Sequence, residues 1–453
     1  MKKNILFFSR SGHQKLFCKF DSAEFNCFHA TLNKNEKKDV LARGGHVVGC
    51  IEDSFDTLEE ARLHSTYLKG GFQDDRFLNC FDLKKRIEIL KKEKSFWKKI
   101  IEEWNIDIVV HETISIEPEE VLSIEAKEHG VTDLTFLNSV IDGYFYFKRD
   151  PYSSSFSKRR IEEANVTEED LILSKNHVRN LRERGHYPSY LHKTKDKKQL
   201  AVKKMIKNIS QHVTNPVTSS ESKLVKKLMY YNNYDQSGQN LIEKLFDSVH
   251  IFFEKFDAAK KIVENKIVFY PFHFEPEATL RYFSPNFSDQ IALIKKIARY
   301  LPHDMYLAVK AHPLQPFELL KYKYREIRKE NSNVIFIKSE FPSERLIRES
   351  EFIVTVSGTV GWEGLVLEKP VVVLGNVWYD KHPGVTKIRS TDGLRLALRG
   401  KIKSPAPKEE SEKYLAQIAS FCHPGYVLGS KSSEPGNADK FCNALSKELM
   451  NIG

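Results

Sequence analysis

Between residues 354 and 365 an apolar run, Val354-Thr355-Val356, breaks into Ser357-Gly358-Thr359-Val360-Gly361 and resumes as Trp362-Glu363-Gly364-Leu365. Gly358 and Gly361 permit a tight turn and close backbone approach. The hydroxyls of Ser357 and Thr359, with the free amides of a first helical turn, make a receptor for phosphate oxygens. This is not a Walker loop, because no Lys-Ser/Thr pair follows the glycines, and the dinucleotide fingerprint fits poorly. A second feature is Lys310-Ala311-His312-Pro313, a histidine placed straight after an apolar run and held by a proline. Such a histidine would face a phosphate as hydrogen-bond donor or cation and stabilise charge on a leaving group. Lys310 would add to that charge if its strand position turns it toward the ligand. Glu363 and Glu368, after the glycine turn, are both candidates to accept from ribose hydroxyls; for Glu368 the other reading is a solvent-facing helical residue. Trp378 and Tyr379 are either flat surfaces for a sugar or base, or packing.

Tyr270-Pro271-Phe272-His273-Phe274-Glu275-Pro276-Glu277-Ala278 concentrates a histidine and two carboxylates within five residues, stiffened by two prolines, more than a turn requires. Glu277 is suited to orienting substrate hydroxyls. Metal binding by His273, Glu275 and Glu277 is the weaker reading, since no second histidine motif supports it. In the first third of the chain, groups able to take a proton from a hydroxyl are His13, His111, Glu112 and Asp142, with Asp74-Asp75-Arg76 as a further cluster. Glu112 is the best placed of them. No DxD pair stands at an expected strand end, so a divalent ion is not indicated.

These groups need strands to carry them. Ile5–Ser9, His46–Ile51, Ile106–Val110 and Thr132–Leu137 read as buried strands, with helices at about Lys84–Trp104 and Glu117–His129. That alternation predicts a parallel sheet covered on both faces. From Lys266 the alternation is more regular: strands at 267–270, 305–310, 334–337, 352–356 and 370–374, and helices at 289–298, 317–329, 343–349 and 360–367. Ser343 fits a helix cap. In such folds ligands bind beyond the carboxyl ends of strands, where the polar motifs fall. The expected organisation is an N-terminal Rossmann-like unit (residues 1–150) and a polar, lysine-rich helical insertion or lid (151–255). A C-terminal Rossmann-like unit (256–405) and a helical tail (406–453) that packs back on the first unit complete it.

The 453 residues, 41% apolar and 29% charged, are globular in composition and too long for one ordinary core. A net charge of +10 is mild at this length and gives no nucleic-acid signature. The lysines between Lys193 and Lys207 are either a solvated helix face or an electrostatic foot for an anionic membrane surface. Six cysteines without a CxxC pair point to neither a disulfide framework nor a zinc site. With neither a signal peptide nor a membrane span in evidence, the expected location is cytoplasmic, at most peripheral on the inner face of the plasma membrane.

Together, Lys310–Pro313, Thr355–Gly364, Lys369-Pro370-Val371-Val372-Val373-Leu374-Gly375 and the His-Phe-Glu-Pro-Glu-Ala core resemble the capsule polysaccharide biosynthesis protein family. The pairing of a His-Pro motif with a hydroxyl-rich glycine turn is also similar to bacterial CMP-sugar transferases built from two Rossmann-like domains. The resemblance is specific over roughly residues 268–385. It implies a GT-B-like fold with two such domains facing across a cleft, and a metal-independent glycosyltransferase with no permanently bound cofactor. The implied donor is a nucleotide sugar, with CMP-Kdo or another CMP-activated acidic sugar as the guess, and the acceptor a glycan or glycolipid. It carries phosphate contact onto His312, Ser357 and Thr359, around which Lys310, Pro313, Gly358, Gly361 and Glu363 complete the donor set. Glu112, His312 and Glu277 make up the expected catalytic set. Two other readings share the scaffold: a nucleotide-sugar epimerase or hydrolase, and a non-catalytic polysaccharide assembly or export partner.

Overall fold

The computed structural model describes residues 2–64, 82–184, 259–274, 278–312, 323–339 and 341–451. Lys193–Lys207, Asp74–Arg76, Glu275, Glu277 and Pro313 lie outside the described residues.

The first sheet begins with β1 (Lys3–Phe8), β2 (Phe25–Thr31), β3 (Val47–Cys50), β4 (Ile108–Glu112), β5 (Thr132–Asn138) and β6 (Tyr144–Lys148). Ile5, Leu6, Phe7 and Phe8 are all at most 1% exposed, as expected of a strand covered on both faces. β2 escapes the sequence pattern because its apolar residues are broken by Asn26 and His29. His29 is nevertheless buried, its Nδ1 2.8 Å from Ser9 Oγ on the neighbouring strand. The expectation of an all-parallel sheet is corrected at its edge. β6 pairs antiparallel with β5, Thr135 facing Lys148. The reversal needs a tight connection, and Gly143 at φ 81° supplies it.

The second sheet comprises β7 (Lys266–Pro271), β8 (Met305–Lys310), β9 (Val334–Ile337), β10 (Ser350–Thr355), β11 (Val371–Val373) and β12 (Val385–Lys387), parallel throughout. Two of its helices start where a side chain satisfies a free amide: Asp289 accepts from Ala292 N (2.9 Å) at the head of Gln290–Tyr300, and Ser390 from Gly393 N (3.1 Å) at the head of Thr391–Leu398. Ser343, expected as a cap, is instead the first helical residue after Pro342. A last short strand, β13 (His423–Pro424), returns to the first sheet and pairs antiparallel with β6. The following helix, Asn437–Met450, packs on Gln14–Phe17 and sets Phe441 against Phe17, Phe136 and Phe145.

Spatial order is β3-β2-β1-β4-β5-β6-β13 in one sheet and β9-β8-β7-β10-β11-β12 in the other. Both orders reverse direction once, between β1 and β4 and between β7 and β10, the doubly wound arrangement of a Rossmann-like unit. Two such α/β units define a GT-B-like fold. They meet where Ile114, just past β4, buries itself with Tyr282 and Phe283 from the segment after β7. The crossover joins them too: Ser154 N donates to Asn376 O (3.1 Å) and Ser155 Oγ to Asp380 Oδ1 (2.6 Å). Helix Glu168–Arg184 adds Arg182 Nη1 to Val366 O (2.7 Å).

Candidate functional site

The crevice beyond the β7/β10 reversal carries the glycine turn. β10 ends at Thr355, and helix Thr359–Val366 starts from Gly358 as N-cap, with no side-chain cap bond. The turn is shaped from below by His273, two residues past β7. Ser357 N–H donates to His273 Nε2 (3.1 Å), which makes that nitrogen the unprotonated one. Nδ1–H therefore donates to Gln290 Oε1 (3.3 Å), which also accepts from His273 N (2.8 Å) and Tyr270 Oη (3.0 Å). Gly358 N donates to Thr355 Oγ1 (3.1 Å), and Tyr379 Oη donates to Gly358 O. With both ring nitrogens engaged, His273 has none to offer a metal. Among the described residues no group of three His, Cys, Asp or Glu is arranged to hold one.

The Cβ that Gly358 lacks would stand 3.2 Å from both His273 Nε2 and Thr355 Oγ1, so a side chain there would press on the ring that shapes the turn. Ser357 Oγ is buried and has no hydrogen-bond partner among the described residues. Thr359 is exposed at the mouth of the turn. Glu363 is buried one helical turn further on, 3.5 Å from Thr359 Oγ1; burial pushes its carboxyl up to about 7 against the opposing pull of Lys310. β8 lies beside β7, so Lys310 and His312 come to the same sheet end. The His312 ring stands 5.7 Å from that of Phe274. Burial, and then Lys310, hold His312 down to about 4. It is therefore neutral at pH 7, with one ring N–H available as a hydrogen-bond donor.

Glu368 points away from the turn. It sits at φ 57° past the helix end, with Oε2 3.1 Å from Arg182 Nη1 and Oε1 3.2 Å from Lys408 N. Tyr379 is 1% exposed, and Trp378 stacks among Trp362, Tyr379 and Tyr414, so this aromatic pair is packing.

The β1/β4 reversal of the first sheet carries a second polar group. Glu112 is the last residue of β4, and burial pushes its carboxyl up to about 7, with Arg10 opposing. Arg10, from the turn after β1, is buried; its Nε donates to Glu119 Oε1 (2.6 Å), Nη1 to Ser11 Oγ (2.8 Å), and Nη2 lies 3.5 Å from Glu112 Oε2. Glu119 Oε2 accepts in turn from Ser115 N (2.7 Å) and Ile116 N (3.2 Å). Sequence reasoning missed Arg10 and Glu119; the available signal was an arginine in the polar turn directly after a buried strand. Of the other proton-taking candidates His111 and Asp142 are paired, whereas His13 Nδ1 is buried with no hydrogen-bond partner among the described residues. His111 is fully buried, Nε2 2.9 Å from Asp133 Oδ1 and Nδ1 2.6 Å from Glu112 O; burial alone would lower its pKa, but Asp133 outweighs that and raises it. His13 Nε2 is 3.1 Å from Val427 O, and Asp142 is an exposed partner of Lys431 (3.2 Å).

Buried neutral histidines make the fold acid-sensitive. His13 and His273, each held near 4 by burial against an ordinary 6.5, take up protons more readily when unfolded. Their contribution is present above pH 6.5 and is lost as pH falls from 6.5 toward 4, up to about 3 kcal/mol each. Urea midpoints should drop steeply across that interval; a flat profile would show that these rings are not held neutral.

The fold and its two crevices define a GT-B-like architecture. A family model described as "Capsule polysaccharide biosynthesis protein" matches residues 242–422. The Escherichia coli "Capsule polysaccharide export protein KpsS" is 29% identical over 87 residues, covering 18% of this chain and only 22% of that relative's length. Among solved structures, the Thermosulfurimonas dismutans KpsC β-Kdo 2,7-transferase aligns at 12% identity and TM-score 0.40, over 82% of this chain and 97% of its own. The β-Kdo 2,4-transferase of the same organism aligns at 14% identity and TM-score 0.38, over 75% and 87%. The chain thus resembles the capsule polysaccharide biosynthesis proteins. Among the described residues no helix is long and apolar enough to cross a membrane.

Proposed function

We propose that this protein is a glycosyltransferase that moves a sugar from a nucleotide-activated donor to a glycan or glycolipid acceptor in capsule or surface-polysaccharide synthesis. One observation carries the reading: a buried polar cluster stands at each of the two reversal points, the glycine turn with Lys310 and His312 at one and Glu112 with Arg10 at the other, and the two units meet through Ile114, Tyr282 and Phe283. On the donor side, the first-turn amides of helix Thr359–Val366, Ser357 Oγ, Thr359 Oγ1 and His312 hold the phosphate, with Lys310 adding positive charge. Gly358 and Gly361 shape that turn, Pro313 stiffens the His312 segment, and Glu363 receives the ribose. Glu277 orients hydroxyls. On the acceptor side, Glu112 takes the proton from the attacking hydroxyl as its oxygen bonds to the anomeric carbon and the nucleotide departs with the bonding pair. The reaction needs no metal. A CMP-activated acidic sugar such as CMP-Kdo is the proposed donor, the likeness to the Kdo transferases serving only to choose it.

A thermal-shift panel of CMP, CDP, UDP, GDP and ADP tests the donor class, because a ligand stabilises only by favouring the native state. CMP alone should raise the melting temperature; a response to UDP alone would redirect the proposal to another donor, and no response at all would sink it. His312→Ala should weaken donor use with the fold intact. Ser357→Ala separates binding from folding: it removes a buried hydroxyl with no hydrogen-bond partner among the described residues, so stability should hold or rise. Nucleotide affinity should nevertheless fall roughly ten- to hundredfold, the worth of a hydrogen bond to a charged group. Unaltered affinity would remove Ser357 from the phosphate site.

A further inference from the structure

A cavity of 510 Å³ lies at the edge of the first sheet, outside both reversal-point crevices. Its wall is made by the end of β6, the crossover that follows, and the end of the last helix. Lys148, Arg149 and Arg160 line it, against Asp150 and Glu448, with Phe147 and Phe156 as its apolar surface. We propose that this cavity binds a small ligand through an oxyanion, a phosphate ester or a sugar carboxylate, seated on Lys148 and Arg160.

The argument starts from charge that the protein leaves uncompensated. Among the described residues none of the three cations is in an ion pair, whereas Glu448 is turned to His423 (3.4 Å) and Asp150 Oδ1 accepts from Tyr152 N (3.0 Å). Lys148 is only 7% exposed; its Nζ donates to the Ser155 carbonyl and lies 4.8 Å over the Phe156 ring. An ammonium has three donors, and one carbonyl uses one of them. The Arg160 guanidinium lies over two rings, its central carbon 4.6 Å from the Phe421 ring and 5.4 Å from Phe156. Contacts of this kind hold the group in place while its N–H donors stay available to a planar or tetrahedral anion. Arg149 reaches across the end of the last helix to Asn451 O (3.3 Å).

Like charges are thus crowded where water is partly excluded. Burial pulls Lys148 down to about 8, with Asp150 opposing and Arg160 adding its repulsion, and burial lowers Arg160, with Glu448 opposing and Arg149 adding to the lowering. A bound anion relieves both effects. The volume exceeds what a bare phosphate needs, and Phe147 and Phe156 give the remainder of the ligand a surface for a sugar ring or an apolar group. The site is separate from the crevice at Glu112, since β5 lies between them, Thr135 being the register partner of both His111 and Lys148, and no residue of the glycine turn lines it.

The test uses the full chain, with inorganic phosphate and glucuronate as probes in calorimetric titrations. At least one probe should bind in both wild type and Ser357→Ala, which disarms the donor turn. Arg160→Met keeps an unbranched stem against Phe421 at an exposed position, and should cost that probe at least about tenfold in affinity, as should Lys148→Met. Phosphate binding alone identifies the phosphate-ester source, and glucuronate binding alone the carboxylate source. A second readout avoids relying on folded variants. Acetylation of Lys148 in the wild type at pH 8, followed by mass spectrometry, should slow several-fold when the binding probe is added. The proposal is overturned if neither probe binds, if binding vanishes in Ser357→Ala but survives in Arg160→Met, or if Lys148 acetylation is indifferent to the probe.

Discussion

Glu112→Gln should lower turnover by about 10²- to 10⁴-fold while leaving nucleotide affinity nearly unchanged, because it removes a general base and no donor contact. The substitution is nearly isosteric, and the Arg10–Glu119 pair that supports the site keeps its 2.6 Å contact. The pH dependence has a definite sign. Burial raises the Glu112 carboxyl to about 7, and only the ionised form accepts a proton. The wild-type kcat/KM should therefore climb as pH rises toward 7 and level off above it, and this limb should be missing from the variant. Turnover unchanged in Glu112→Gln would take this residue out of the chemistry. A loss confined to donor KM would move it to the binding of substrate.

Gly361→Ala should destabilise the second unit by several kcal/mol, far more than a methyl group usually costs. The added Cβ would lie 2.4 Å from Tyr379 Oη and 2.9 Å from Thr355 Cγ2. Tyr379 is 1% exposed and has nowhere to retreat, so overpacking of about 1–3 kcal/mol combines with loss of its buried bond to Gly358 O, another ~1–3 kcal/mol. Denaturant titration of Gly361→Ala, Tyr379→Phe and the double variant separates the terms. Removing the hydroxyl takes away the closest clash, so the double variant should be less destabilised than the sum of the singles. Strict additivity would mean that the tyrosine hydroxyl does not constrain the turn.

The second sheet was readable because five of its six strands are short continuous apolar runs, and each ends at a residue that cannot continue it. Ile267–Tyr270 is fully buried, and so are Ile353 and Val354. β2 and β6 resisted for opposite reasons. In β2 a buried histidine masquerades as a surface residue, since only the Ser9 hydroxyl on the adjacent strand makes its burial tolerable. In β6 the Tyr-Phe-Tyr-Phe run announces a strand, but its direction depends on a turn at Gly143 and on a partner strand nearly three hundred residues later. The donor-side motifs were legible as local patterns. What holds them, His273 between Gln290 and Ser357, was not, because no spacing rule connects residues 84 apart. Arg10 and Glu119, separated by 109 positions, were hidden for the same reason.

β13 has a consequence for how the chain is made. It pairs with Tyr144 and Phe145 using only His423 and Pro424, yet it closes the outer edge of a sheet whose other strands are complete by residue 148. While the polypeptide is being synthesised, the first unit has its strands in hand long before this closing segment leaves the ribosome. Throughout that interval β6 presents open backbone donors and acceptors beside an aromatic face that Phe441 will later cover. A nascent chain stalled in the second unit would carry a sticky edge, and a product ending just before His423, which keeps the helix Lys408–Ala419 that packs on Trp362 and Leu365, should aggregate through the first sheet.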